Sequence, residues 1–230
     1  MISVILPIYH EEASIGGTLQ RLKEQAGSYE VIVVDGGSED QSLEVARSCA
    51  QQFPQWQVLS AQKGRANQMN VGVREAKGDI LLFLHADCWL EKGTLTAIEE
   101  AMQKENVVGG CLTQKIEASH PYYRWLELTG NIRARLFRIF YGDQAIFIRR
   151  EIFDKIEGYP PIPLFEDLAF SRRLRREGKT AVLSKQVVTS PRRWERKGML
   201  RGSLQNLFIL FLYGLGISPQ RLARFYPDVR

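Results

Sequence analysis

The sequence is poor in cysteine, and its first residues do not show the pattern of a secretory signal. Its three cysteines, Cys49, Cys88 and Cys111, show no short spacing typical of a metal site, and their odd number leaves one thiol over. A reducing compartment is the simplest interpretation, because disulfides are rare there. Residues 2–6 form an apolar run with no basic segment before it, so we expect no secretory signal and a cytoplasmic protein.

Two missing loop motifs argue against two enzyme classes. No Gly-x-Gly-x-x-Gly follows the first apolar run, which disfavours a dinucleotide-binding oxidoreductase. No glycine-rich, arginine-containing loop follows it either, and the Tyr-His-Glu-Glu of residues 9–12 stands there instead. This disfavours a sugar-phosphate nucleotidyltransferase. No internal repeat or low-complexity linker divides the 230 residues, a length that fits one catalytic unit with a sizeable core.

The charge is unevenly distributed along the chain. Residues 1–150 hold 16 basic and 18 acidic side chains, whereas residues 151–230 hold 15 and 8, and the net charge is +5. A basic half suits an anionic membrane surface, nucleic acid or a phosphorylated substrate, and it also fits an ordinary solvated surface. A non-catalytic module that binds an anionic surface is therefore an alternative to an enzyme.

The longest apolar stretch near the C-terminus is residues 204–217. It is too short for a membrane-spanning helix, which needs about 20 apolar residues. Basic residues lie on both sides of it, which fits contact with a membrane surface, but a helix in the core or in a homodimer interface explains the same stretch at least as well. We predict one domain over residues 1–203 and an apolar, basic helical segment over residues 204–230.

Strand and helix patterns alternate in the first half of the chain. The apolar runs are residues 2–6, 31–34 and 80–84, with a short strand near 57–60, and the helical patterns lie near 12–25, 40–52 and 65–76. This alternation predicts an α/β fold with a mixed, mostly parallel sheet flanked by helices. The second half mixes predicted helices near 93–104, 122–140 and 167–177 with predicted strands at 107–112, 145–148, 181–183 and 187–188.

Acidic residues follow two of the predicted strands. Residues 80–84 lead into His85-Ala86-Asp87, and residues 31–34 lead into Asp35. Open α/β sheets bind ligands beyond the strand ends, and two carboxylates in one crevice suit a hydrated metal ion and a diphosphate. Asp35 also fits a plain turn, and His85 also fits an ordinary polar residue with its hydrogen bonds satisfied.

Four segments in this order resemble the motifs of family 2 glycosyltransferases of the GT-A fold. They are residues 7–12, 34–40, 85–87 and 166–167, and residues 63–72 resemble the segment that opens the helix before that family's third main strand. The bacterial carotenoid-acid glycosyltransferases are the subgroup that these motifs indicate. The resemblance implies a nucleotide-sugar donor and a single in-line displacement that inverts the anomeric carbon, with transfer to an acceptor hydroxyl or carboxyl.

The resemblance also implies roles for individual residues. Asp167, beside Glu166, would be the base that takes the proton from the acceptor, although carboxylates at a helix start also serve as caps. Asp87 would hold Mn²⁺ or Mg²⁺, with His85 standing where the family commonly has an aspartate. The residues expected to bind the nucleotide sugar are Pro7, Tyr9, Glu11, Asp35, Lys63, Arg65, Asn70, His85 and Asp87. Those expected near the acceptor or the donor sugar are Gly142, Asp143, Gln144, Arg193 and Trp194.

The implied partners are a UDP- or GDP-sugar and an acceptor that the sequence does not identify. The apolar segment over residues 204–217 and its basic flanks favour a lipid acceptor and a position at the inner face of the cell membrane. Nucleic acid is not an expected partner.

Overall fold

A computed structural model describes residues 1–225, apart from the side chains of Arg193, Arg196, Lys197 and Leu200. Within that range the strands are β1 (Ile2–Ile8), β2 (Tyr29–Asp35), β3 (Trp56–Ser60), β4 (Ile80–Phe83), β5 (Cys88–Leu90), β6 (Val107–Ile116), β7 (Phe147–Arg149) and β8 (Lys179–Thr189). The helices are α1 (Glu12–Leu22), α2 (Ser42–Ala50), α3 (Arg65–Glu75), α4 (Thr94–Met102), α5 (Pro121–Phe137), α6 (Arg150–Lys155), α7 (Glu166–Glu177), α8 (Arg192–Lys197), α9 (Met199–Gly214) and α10 (Pro219–Ala223), with a 3-10 turn at Gly142–Gln144.

The described strands form one eight-stranded sheet in the order β3-β2-β1-β4-β7-β6-β8-β5. β1 is parallel to β2 and β4, β2 to β3, and β6 to β8. β7 is antiparallel to both β4 and β6, and β5 is antiparallel to β8. Parallel neighbouring strands need crossover connections, and here these are mostly helices. This explains why strand and helix patterns alternate in the sequence. The predicted α/β fold with a mixed, mostly parallel sheet is confirmed.

Both faces of the sheet are buried, and this explains why its central strands are continuous apolar runs. Val4 and Leu6 of β1 belong to the apolar cluster that includes side chains of α1, α2 and α4. Ile5, between them in sequence, belongs to the opposite cluster, with side chains of α3, α6 and α7. At Gly72 of α3 an added Cβ would lie 2.6 Å from Ile5 Cγ2, so glycine allows α3 to pack closely on the sheet.

The first apolar run covers residues 2–6, but β1 continues through Pro7 to Ile8. Leu84 N donates a hydrogen bond to Ile5 O. The odd-numbered residues of β1 therefore direct their backbone N–H and C=O groups toward β4. The pairing with β4 stops at Ile5 opposite Phe83. Pro7 therefore lies beyond the paired region on that side, and its missing amide removes no hydrogen bond of the sheet.

The two short strands predicted at 181–183 and 187–188 are parts of the single strand β8. Its pairing with β6 changes register where Leu112 and Thr113 lie opposite Leu183 and Gln186. Two extra residues of β8 are accommodated at that point, as in a β-bulge, and they interrupt the apolar pattern.

α9 begins at Met199, so the predicted division between residues 203 and 204 falls inside a helix. In the part of the chain that the structure describes, no helix combines the length and the apolar character needed to cross a membrane.

Candidate active site

The C-terminal ends of β1, β2 and β4 meet at one edge of the sheet. Ile8 is in register with Asp35, and Leu84 N donates to Ile5 O, so the loops that follow these three strands start side by side. The loop after β4 is held by α1, because Thr18 Oγ1 donates a hydrogen bond to Ala86 O at 2.6 Å. This edge is the place where open α/β sheets bind ligands.

Asp35 is buried and forms hydrogen bonds within its own turn. Its carboxylate accepts from Gly37 N at 2.9 Å, from Ser38 N at 3.0 Å and from Ser38 Oγ at 2.5 Å. The Gln68 side chain of α3 donates to the carbonyls of Ile8 and Val34 at 2.7 and 2.8 Å. These bonds hold the turn after β2 in place beside the end of β1.

Arg192, the first residue of α8, joins carboxylates from two different loops. Its guanidinium donates to Glu11, to Asp87 Oδ2 at 3.3 Å and to Ser14 Oγ at 2.9 Å. Burial alone would lower the pKa of the Arg192 guanidinium, but the charges of Asp87 and then Glu11 outweigh it and hold that pKa above its ordinary value. The result is a guanidinium that is held in place at the strand ends by two carboxylates.

From the Arg-Arg-Trp run of residues 192–194, only Arg193 and Trp194 were selected as site residues, and Arg192 was predicted only as one of the cations that this run could offer to a diphosphate. The side chain of Arg193 lies outside the described part of the chain. Trp194 packs edge-on against Tyr123, with 6.0 Å between the ring centroids. The only sequence signal for Arg192 was its place in an Arg-Arg-Trp run that resembles a late element of the family.

Three potential metal ligands lie close together after β4. Among the described residues, His85, Asp87 and Cys88 place their ligand atoms within 4.8 Å of one another. Burial, followed by the charge of Asp87, raises the pKa of the Cys88 thiol well above its ordinary value, and Mg²⁺ and Mn²⁺ prefer oxygen ligands to a thiol. Asp87 and His85 remain as donors. One carboxylate that works together with phosphate oxygens is a common arrangement for Mg²⁺, so the donor set fits a divalent ion carried with a diphosphate.

His85 connects this group to the loop before β7. A Cβ added to Gly142 would lie 2.5 Å from His85 Nε2, so the imidazole packs on the backbone of Gly142. The amide of Gly142 donates to Asp167 Oδ2 at 2.9 Å. The predicted metal-binding end and the predicted base are thereby linked through one glycine.

Glu166 and Asp167 begin α7 but have different environments. Glu166 is buried and pairs with Arg65, whose Nε lies 2.9 Å from Glu166 Oε1. Asp167 accepts from Gly142 N through Oδ2 and from Leu168 N at 2.7 Å through Oδ1. Phe165, just before them, has a left-handed backbone with φ 64°, and this sharp turn starts the helix. Asp167 is thus the carboxylate of the pair that contacts the loop packed on His85.

The remaining residues of the Gly142–Gln144 turn bond to the protein. Gln144 is fully buried, and its Oε1 accepts from Arg133 at 2.8 Å. Asp143 Oδ2 accepts from Gln114 Nε2 at 2.6 Å. These bonds hold the backbone of Gly142 in place between His85 and Asp167.

Residues 3–159 match the family description Glycosyl transferase family 2. The chain belongs to this family. The match ends before Glu166 and Asp167, and it includes the loops after β1, β2 and β4.

Several known proteins are similar to this family 2 chain. An undecaprenyl-phosphate 4-deoxy-4-formamido-L-arabinose transferase of Aeromonas hydrophila is 34 % identical over 117 residues, which are 47 % of this chain and 36 % of that protein. The mannosyltransferase PcManGT of Pyrobaculum calidifontis, solved with GDP-Man and Mn²⁺, aligns with a TM-score of 0.65 and 22 % identity over 81 % of this chain and 56 % of its own. S. aureus TarS, solved with UDP-GlcNAc, aligns with a TM-score of 0.67 and 21 % identity over 82 % and 58 %.

The structural neighbours confirm the predicted GT-A fold. The chain spans only 34 % to 39 % of the length of several curated glycosyltransferases that it matches.

Some of the predicted site residues of this family 2 protein contact one another, whereas others contact different parts of the chain. Lys63 Nζ lies 4.2 Å from the centroid of the Tyr9 ring. Asn70 instead exchanges hydrogen bonds of 2.8 and 3.0 Å with the backbone of Tyr159, in the loop that leads toward α7. Pro7 lies within β1, opposite Val34 of β2.

Proposed function

We propose that this protein is an inverting glycosyltransferase that moves a sugar from a UDP- or GDP-sugar to an acceptor hydroxyl or carboxyl. The carrying observation is a series of neighbours that leads from Arg192, paired with Asp87, to Asp167: the ligand atoms of Asp87 and His85 lie within 4.8 Å of each other, His85 packs on Gly142, and Gly142 N donates to Asp167. It has positive charge and metal-capable donors at one end and a carboxylate suited to a base at the other. Family membership supports the reaction class, and the complexes of PcManGT with GDP-Man and of TarS with UDP-GlcNAc support the donor class.

In this proposal the donor diphosphate lies at the Arg192 end. The guanidinium, already fixed between Glu11 and Asp87, offers charge-assisted hydrogen bonds to phosphate oxygens. Asp87 and His85 would hold Mn²⁺ or Mg²⁺, which when bound supplies further neutralisation of the leaving diphosphate. The nucleoside extends toward Tyr9, whose ring suits stacking on a base, and toward Asp35, whose carboxylate suits a base or ribose donor.

The acceptor lies at the Asp167 end. Two backbone amides already hold the Asp167 carboxylate in position, so it can take a proton from an acceptor hydroxyl as the new bond forms at the anomeric carbon. An acceptor carboxyl is already ionised at neutral pH and needs no base. Loss of the Asp167 carboxylate therefore separates the two acceptor classes.

We further propose a lipid-like acceptor used at the inner face of the cell membrane. The apolar character of α9 supports it, and so does the name of the A. hydrophila relative, an undecaprenyl-phosphate transferase. The resemblance of the sequence motifs to carotenoid-acid glycosyltransferases supports an isoprenoid carboxylic acid as one acceptor of this kind.

The donor end is tested by a thermal-shift panel of UDP, GDP and their sugars, each with and without Mn²⁺. A ligand that binds only the folded protein raises its unfolding temperature, so we expect one nucleotide series to do so and Mn²⁺ to increase the effect. The proposal is overturned if no nucleotide raises the unfolding temperature and no sugar donor releases its nucleoside diphosphate. Once an acceptor is found, NMR of the product should show the anomeric configuration opposite to that of the donor.

A further inference from the structure

The exposed apolar side chains of this protein are concentrated on two helices. Among the described residues, ten of the twelve large apolar side chains that are exposed lie on α5 or on α9 and its end. They are Trp125, Leu128, Ile132, Leu136 and Phe137 on α5, and Leu204, Leu207, Phe208, Phe211 and Leu215 on α9 and the residue after it. Both sets repeat mostly at intervals of three or four residues, so each forms a stripe along one side of its helix.

The two stripes start at the same junction. Tyr122, in the first turn of α5, donates a hydrogen bond from its hydroxyl to Met199 O at 2.7 Å, in the first turn of α9, and its oxygen also contacts Ser203 Oγ. Trp125 lies one turn after Tyr122, and Leu204 is the neighbour of Ser203. We call the ten side chains together the two-helix face.

The inner sides of the same helices support the acceptor end of the site. On α5, the Arg133 guanidinium lies 3.4 Å from the Tyr141 ring centroid and bonds to Gln144, beside Gly142. On α9, the ring of Tyr213 stacks on Phe165, the residue before Glu166, at 4.6 Å. The two-helix face is therefore the outer side of the elements that hold Gly142 and α7 in place.

The segments that carry the two-helix face have an excess of basic residues in their sequence. Residues 121–138 hold four arginines and one glutamate, and residues 190–225 hold seven basic residues and one glutamate. Arg135, Arg201, Arg221 and Arg224 are exposed. An apolar stripe bordered by arginines complements a bilayer with anionic headgroups. Two copies of the chain joined through this face would instead bring like charges together.

We propose that the two-helix face docks on the surface of an anionic lipid bilayer. The apolar side chains enter the interfacial region, and the arginines around them contact the headgroups. One consequence rests on the proposed function: a lipid acceptor reaches Asp167 from the membrane side, because α5 and α9 flank the loops that hold this carboxylate.

The docking is tested by sedimentation of the full chain with vesicles of phosphatidylcholine mixed with phosphatidylglycerol, and with vesicles of phosphatidylcholine alone. We expect binding to the mixed vesicles that weakens as salt is added. Leu128→Glu on α5 and Phe211→Glu on α9 should each lower the vesicle partition coefficient by about tenfold or more, because each removes a large apolar side chain from the membrane contact. Gln20→Glu, at an exposed position of α1, makes the same change in charge and should leave binding within about twofold of wild type.

Folding is not expected to limit these variants, because Leu128 and Phe211 are 59 % and 62 % exposed. Their unfolding temperatures should match that of Gln20→Glu. A second readout is quenching of tryptophan fluorescence by brominated lipid, which Trp125→Phe should largely remove while vesicle binding is retained.

Three results would overturn the docking proposal. The first is no binding to the mixed vesicles at low salt. The second is Leu128→Glu binding like wild type, since α5 would then take no part. The third is a dimer in sedimentation velocity that both glutamate variants dissociate, without vesicle binding. Nucleotide stabilisation is measured on the same variants and should be unchanged; if no nucleotide stabilises any of them while vesicles still bind, the proposed function fails and the docking stands.

Discussion

Replacement of Arg192 by alanine removes the positive charge that joins Glu11 and Asp87. The side chains of these two carboxylates are 10 % and 25 % exposed, so they lose a partner in a partly buried site. Breaking a fully buried pair costs about 3–5 kcal/mol, and partial exposure reduces this to about 1–3 kcal/mol here. For a chain of this size each kcal/mol lowers the unfolding temperature by about 2–4 °C, so we expect a decrease of about 2–12 °C.

The same substitution should weaken the binding of a nucleoside diphosphate. A hydrogen bond to a charged group contributes about 1.5–3 kcal/mol, which corresponds to about tenfold to a hundredfold in affinity. Calorimetry with UDP and GDP measures this loss, and the free nucleoside should show a much smaller one. Arg192→Lys keeps the charge but loses the planar fork, so its affinity should fall between those of wild type and Arg192→Ala.

Wild-type affinity for both diphosphates in Arg192→Ala would refute the assignment of Arg192 to the donor site. An unchanged unfolding temperature would refute the bridge between the two carboxylates. Gln20→Glu on α1 is the control for both measurements, since it is exposed and lies outside these contacts.

Two further predictions concern single contacts and the thiols. Gly142→Ala places a methyl group against the His85 imidazole, so turnover should fall by about tenfold to a hundredfold while the circular dichroism spectrum is unchanged; normal turnover would contradict the packing of His85 on this glycine. In the native protein a thiol reagent should modify Cys49 alone, because Cys88 and Cys111 are buried with raised pKa values, and three thiols should react after denaturation. Rapid modification of a second native thiol would show that one of these two sites is open.

Local sequence patterns predicted the sheet well where both its faces are buried. The apolar runs that became β1, β2 and β4 are continuous because helices cover both sides of these strands. The loops after them carry the predicted acidic residues, because the ends of parallel strands face one edge of the sheet.

Contacts between distant segments could not be predicted in this way. Arg192 is 105 residues from Asp87 in sequence, and it reaches the site because β8 pairs with β5: Cys88 lies opposite Thr189, and Ser190 N donates to Asp87 O. Only three residues of β5 form strand pairs, so its apolar pattern was too short to indicate a strand. Asn70 likewise bonds to Tyr159, 89 residues away, through a tertiary contact that no local pattern records.

The assignment of Asp167 as the base is tested by the nucleotide-sugar turnover of Asp167→Asn, with water or a soluble alcohol as acceptor. Asparagine has nearly the same shape, and its side-chain oxygen can still accept from Gly142 N, so donor affinity should stay at the wild-type value. Because the variant lacks the base, turnover should fall by about 10²–10⁴-fold. Turnover by Asp167→Asn at the wild-type rate would show that Asp167 is not the base.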